Sequence, residues 1–126
     1  MADTTLTIST TFSYKNAKGT KSLSALTSRA AAGVSFCQET QTILVTATLL
    51  DVGAEVTAAD LDAVMIVNLD ANNFVSVYND SGGLNLICVI QPGEGAVVHA
   101  DGNFIPYLKA DTASVQVEFL GTSIAP

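Results

Sequence analysis

The sequence predicts an all-β chain: an antiparallel β-sandwich or jelly-roll-like barrel of eight to nine short strands, with at most one short helical turn. Three observations carry this expectation. Apolar residues recur with a period of two or in short β-branched runs, and no segment holds a convincing helical pattern. Turn signals built from Gly, Pro, Asn and Asp interrupt the chain roughly every 8–12 residues, the spacing of sandwiches and barrels. Ser and Thr together number 24 of 126 residues, and Thr in particular suits a half-exposed strand.

Each element follows in order. Thr5–Tyr14 places Leu6, Ile8, Phe12 and Tyr14 on one parity, a strand pattern, and Asn16-Ala17-Lys18-Gly19 supplies turn chemistry. Lys21–Ala32 is ambiguous: its alanines permit a helical turn, Gly33 stops anything longer, and its Ser and Thr weaken a helix. Val34–Glu39 and Thr42–Leu50 read as two strands or one long bent one, broken at Asp51-Val52-Gly53-Ala54. Thr57-Ala58-Ala59-Asp60 has the form of a capping box and allows one helical turn. Ala63–Leu69 is apolar and rich in β-branched residues and reads as a central strand; Asp70–Asn73 is a turn, and Phe74–Tyr78 alternates cleanly. Asn79-Asp80-Ser81-Gly82-Gly83 is the clearest hairpin signal, because its residues tolerate positive φ and strands flank it. Leu84–Gln91 leads into the Pro92-Gly93-Glu94-Gly95 turn. Ala96–Ala100, Phe104–Ala110 and Ser114–Leu120 complete the set, separated by Asp101-Gly102-Asn103 and Asp111-Thr112.

A length of 126 residues with 48% apolar content supports one packed domain over residues 1–126. Within it, residues 1–32 are either a first strand plus loop or a docking arm. Charge separates that segment from the rest. Residues 1–30 hold Lys15, Lys18, Lys21 and Arg29 against Asp3 alone, whereas residues 31–126 hold Lys109 against eleven acids. The net charge of −7 argues against a nucleic-acid partner. No apolar run approaches the roughly 20 residues of a membrane span. Met1-Ala2-Asp3-Thr4 lacks the basic and apolar regions of a secretory signal, so synthesis in a cytoplasm is expected. Cys37 and Cys88 lie in apolar, strand-like runs and read as free buried thiols, with a disulfide between them as the alternative.

The residues offer little catalytic chemistry. His99 is the single histidine, and no Gly-x-Ser-x-Gly element accompanies it. Two separated cysteines and one histidine do not make a zinc set. Asp60, Asp62 and Glu55 could gather oxygen ligands, but they lack the glycine and closing glutamate of a calcium loop, so a solvated turn is expected. The glycines around Glu94 precede a strand instead of a helix and do not form a phosphate cradle. The expectation is no enzymatic activity, no cofactor and no metal.

From Met65 onward, Asn68-Leu69-Asp70-Ala71-Asn72-Asn73-Phe74-Val75, then Pro92-Gly93-Glu94, then Lys109-Ala110-Asp111-Thr112-Ala113 and the closing strand Val115–Phe119 form a connected series. That series resembles a set of small β-rich virion structural proteins of tailed bacteriophages. The resemblance lies mainly over residues 65–120 and carries over no functional residues. It implies a protein made in the host bacterial cytoplasm and incorporated in the virion, where a capsid decoration (cement) protein would bind the major capsid protein or another virion protein. Low charge suits lateral packing, because few charges need desolvation at each contact. A homo-oligomer, for example a trimer, is the expected assembly, with no nucleic acid or membrane as partner. The expected contact residues are Lys15, Lys18, Lys21 and Arg29 toward an acidic surface, with Leu6, Ile8 and Phe12 buried against it. Two alternatives stay open: a tail, collar or fibre-associated structural or receptor-binding domain, and a carbohydrate-binding β-sandwich module that would need paired surface aromatics such as Tyr78 with Tyr107.

Overall fold

A computed structural model describes residues 5–30, 36–53 and 56–123, and the side chains at positions 27, 29, 30, 36 and 37 lie outside that description. Over the described residues the fold is all-β, with ten strands: β1 (Thr5–Asn16), β2 (Gly19–Ala30), β3 (Phe36–Ile43), β4 (Thr48–Leu49), β5 (Leu61–Asn68), β6 (Val75–Tyr78), β7 (Leu86–Ile90), β8 (Gly95–His99), β9 (Tyr107–Ala110) and β10 (Val115–Ser123). They fall into two compact units, Met1–Ala32 and Gly33–Pro126.

The first unit is a hairpin. β1 and β2 pair antiparallel in unbroken register from Thr5↔Ala30 to Asn16↔Gly19, in a two-stranded sheet of their own. β1 is therefore a strand of neither sandwich sheet. The expectation left open for Lys21–Ala32 resolves to a strand over its described part, because pairing along β1 satisfies the backbone that a helical turn would have satisfied locally. The Asn16 side chain accepts from the Lys18 amide at 2.8 Å, and Gly19 takes a φ of 134°, which residues with a Cβ avoid.

The second unit is a sandwich of two four-stranded antiparallel sheets, ordered β3-β10-β5-β8 and β4-β9-β6-β7. Alternation decides which side chains face inward. Along β10, Val115, Val117 and Phe119 are buried, while Gln116, Glu118 and Leu120 are exposed. Ile66, Val64 and Ile43 join them from the first sheet, and Val75, Val77, Leu108 and Ile90 come from the second, so one core fills the space between the sheets. β5 is an interior strand, as its β-branched run predicts. Segment bounds shift modestly: β4 shrinks to two residues, and β9 begins at Tyr107, not Phe104. The Thr57 capping box forms a single turn, in which Asp60 and Leu61 amides donate to the Thr57 carbonyl and the Thr57 hydroxyl donates to Asp60 at 2.9 Å.

The segments around Asn68–Val75, Pro92–Glu94 and Lys109–Ala113 meet at one end of this sandwich. The buried Asn68 side chain donates to the carbonyls of Asn73 (2.9 Å) and Ile90 (3.1 Å) and accepts from the Asp70 amide (2.8 Å). Its backbone donates to Glu94 and accepts from Gly93, and the Thr112 hydroxyl donates to the Asn73 side chain. Gly93, at a φ of 78°, makes the turn that brings its amide to Asn68.

Asp70 accepts from the Asn73 and Asn72 amides at 2.7 and 3.0 Å, and these bonds, Asn73 first, hold its carboxyl below the usual carboxylate range. A depressed native pKa contributes stability that is present above the unfolded-state pKa and is lost as pH falls through the folded one. Urea midpoints measured between about pH 5 and pH 2 should therefore fall on acidification. Asp70→Asn should flatten that part of the profile, and an unchanged slope would refute the assignment.

Candidate functional site

The hairpin gathers the expected contact residues. Register places Leu6, Ile8, Phe12 and Tyr14 of β1 on the same face as Leu23 and Ala25 of β2, with Phe12 opposite Leu23. The other face is mainly hydroxyl: Thr7, Ser9, Thr11 and Ser13 alternate with Ser22, Ser24 and Ser28, with Leu26 as the apolar exception. Thr11 and Ser24 share a hydrogen bond across it at 3.1 Å. Leu6 and Ile8 are half-buried, whereas Phe12 is 71% and Leu23 78% exposed.

Lys15, Lys18 and Lys21 stand together at the hairpin tip, Lys15 opposite Thr20 and Lys21 opposite Tyr14. All three are exposed. Arg29 pairs in register with Leu6 at the open end, and its side chain lies outside the described residues. The described part of the hairpin, residues 5–30, holds four cations and no acid. The structure thus brings all seven residues into one ribbon, apolar along one face, with the three lysines at its tip and Arg29 at its open end.

The sandwich presents two further surfaces. On the outer face of the second sheet, Leu49, Tyr107 and Tyr78 form a cross-strand row that continues to Leu86. Tyr78 and Tyr107, paired by the sequence argument for glycan stacking, are direct cross-strand neighbours. Both are half-buried, and the Lys109 ammonium sits 5.8 Å from the Tyr78 ring centre, so one ring already has a cationic companion. On the outer face of the first sheet, Met65, Val67 and Leu120 line an open depression of about 200 Å3 with Gln38 and Glu118. Ligand clefts usually occupy roughly 300–1,000 Å3, which makes this depression a dimple between strands.

Strand β7 was missed as a surface by sequence reasoning. Among the described residues it closes the second sheet and pairs with β6 alone, yet Leu86, Ile87 and Val89 are exposed along it. The signal was available in the run Leu84–Gln91, which contains no charge and no proline to discourage edge pairing.

The remaining titratable candidates have structural surroundings. Asp60 is engaged by Thr57, Asp62 is buried at the sandwich edge where its carbonyl accepts from Ala100 and Asp101, and Glu55 lies outside the described residues. Among the described residues, no three His, Cys, Asp or Glu side chains gather as a metal-holding group. Cys88 is a free, half-buried thiol packed against the core, and burial pushes its pKa up. The Cys37 side chain lies outside the described residues. Comparison with protein-family models, curated proteins and solved structures finds no match to this chain.

Proposed function

We propose that the chain is a structural component of a tailed-bacteriophage virion, a capsid decoration protein that joins the major capsid protein as a homo-oligomer and performs no catalysis. It is made in the host cytoplasm and acts in the particle. The observation that carries this reading is the hairpin. A two-stranded ribbon is marginally stable by itself in water, yet this one extends twelve residues per strand and turns an apolar face to solvent. A neighbouring surface that covers Phe12 and Leu23 and meets the lysine tip would complete it. A docking arm of this kind lets many modest contacts sum over a repeating lattice.

Deleting residues 5–30 should strip the protein from purified virions, read by quantitative mass spectrometry against the major capsid protein. Retention at the wild-type copy number would sink the docking arm. Hundreds of copies per particle fit decoration, while a few dozen fit the tail, collar or fibre alternative. The Tyr78–Tyr107 pair keeps a glycan-binding reading in view. That reading expects glycan binding by the wild-type chain, lost in Tyr107→Ala.

A further inference from the structure

We infer that the hairpin of one copy docks on the sandwich of a second copy of this chain, β2 adding antiparallel to the free edge of β7. This inference rests on the docking-arm reading and names the arm's partner. Three observations converge on it.

The first is that both surfaces are incomplete. Among the described residues β7 ends its sheet with one side unpaired and exposes Leu86, Ile87 and Val89, an edge that soluble proteins ordinarily protect with charge, proline or a covering element. Among the described residues β2 is likewise paired on one side, by β1. Strand addition satisfies the edge backbone of both and sets the apolar side chains of each beside the other's across the new pair.

The second is charge. Residues 5–30 hold four cations and no acid, whereas residues 31–126 hold eleven acids against Lys109, which already lies over Tyr78. A second copy of this chain therefore offers the arm an acidic body of opposite sign.

The third is the spacing of those charges. β7 is neutral throughout but bracketed by Asp80 in the turn before it and Glu94 in the turn after it. β2 is neutral from Ser22 to Ser28 and bracketed by Lys21 and Arg29, a separation of roughly 27 Å in an extended strand. Antiparallel addition sets Lys21 toward Glu94 and Arg29 toward Asp80, with apolar and hydroxyl residues between them. Antiparallel pairs are also the more stable per residue.

The test uses the full chain in sedimentation velocity. Wild type should sediment as an oligomer that loosens in high salt, because the bracketing pairs are screened. Val89→Lys changes a partly exposed edge residue and should leave a folded monomer. Lys21→Glu should weaken association by roughly tenfold or more, and adding Glu94→Lys to the same chain should restore it. Hydrogen exchange at Leu86–Ile90 should slow as wild-type concentration rises. A monomeric wild type, an oligomer indifferent to Val89→Lys, or a charge swap that restores nothing would overturn the inference. A monomer that still needs residues 5–30 to stay on virions would overturn self-docking and leave the docking arm standing. An oligomer as described whose arm-deleted form stays on virions would do the reverse.

Discussion

Truncating Phe119 to alanine is expected to destabilise the sandwich by about 3–5 kcal/mol. Phe119 is 1% exposed and lies on β10, an interior strand flanked by β3 and β5, where its register partners are Glu39 and Ile66. Removing the ring forfeits its burial and leaves a cavity that strands hydrogen-bonded on both sides can close only in part. Against a net stability of about 5–15 kcal/mol for an ordinary domain, the loss is a large fraction of the whole. Urea unfolding should show a midpoint far below wild type with a similar slope. Met65→Ala is the control. Met65 neighbours Leu120 across β5 and β10 but is half-exposed, and its truncation should cost less than about 1 kcal/mol. Equal losses in the two variants would mean that the inward and outward faces of the first sheet are assigned wrongly.

Asn68→Ala is expected to cost about 3–5 kcal/mol, although it removes far less apolar surface. Its side chain is the junction of three backbone groups, the carbonyls of Asn73 and Ile90 and the amide of Asp70. The residue is fully buried, and each group left without a partner costs about 1–3 kcal/mol when water cannot replace it. Asn68→Asp separates the roles of the two ends of the amide. It keeps an acceptor for the Asp70 amide, places a carboxylate against two carbonyls, and should be destabilised most at neutral pH and partly relieved on acidification, when the protonated acid can donate once. Urea midpoints of the three proteins across pH measure this, and an alanine variant as stable as wild type would refute the junction.

The two residues differ in how far the sequence announces them. Phe119 belongs to an alternating run, Val115, Val117 and Phe119 against Gln116, Glu118 and Leu120, and period two suffices to place it inward. Asn68 lies inside the Ala63–Leu69 run, which reads as a strand, just ahead of the Asp70–Asn73 turn, and nothing local marks its side chain as a buried junction. Its burial depends on the Pro92-Gly93-Glu94 turn and the end of β7 arriving at the same place, which no local pattern encodes.

The hairpin shows the same division. The alternation of Leu6, Ile8, Phe12 and Tyr14 and the Asn16–Gly19 turn are visible in the sequence, and so is the concentration of cations. The strand character of β2 is not, since Ser, Thr and Ala without a strong period favour no single structure until β1 pairs with them. That β1 and β2 form a sheet of their own, in place of a first strand added to the sandwich, is likewise a matter of long-range pairing. The count of ten strands against an expected eight to nine follows from that one segment.

By itself, then, the sequence determined the all-β class, the turns, the two-residue alternation of the clear strands and the charge division between the first thirty residues and the remainder, because these are set by residue order and by φ preferences acting over a few neighbours. Tertiary structure alone decided the order of strands in each sheet, the junction at Asn68, the cross-strand meeting of Tyr78 with Tyr107 and the open edge of β7. Those depend on which distant backbones pair, and hydrogen-bond register between segments far apart in the chain is selected by the packing of the whole core.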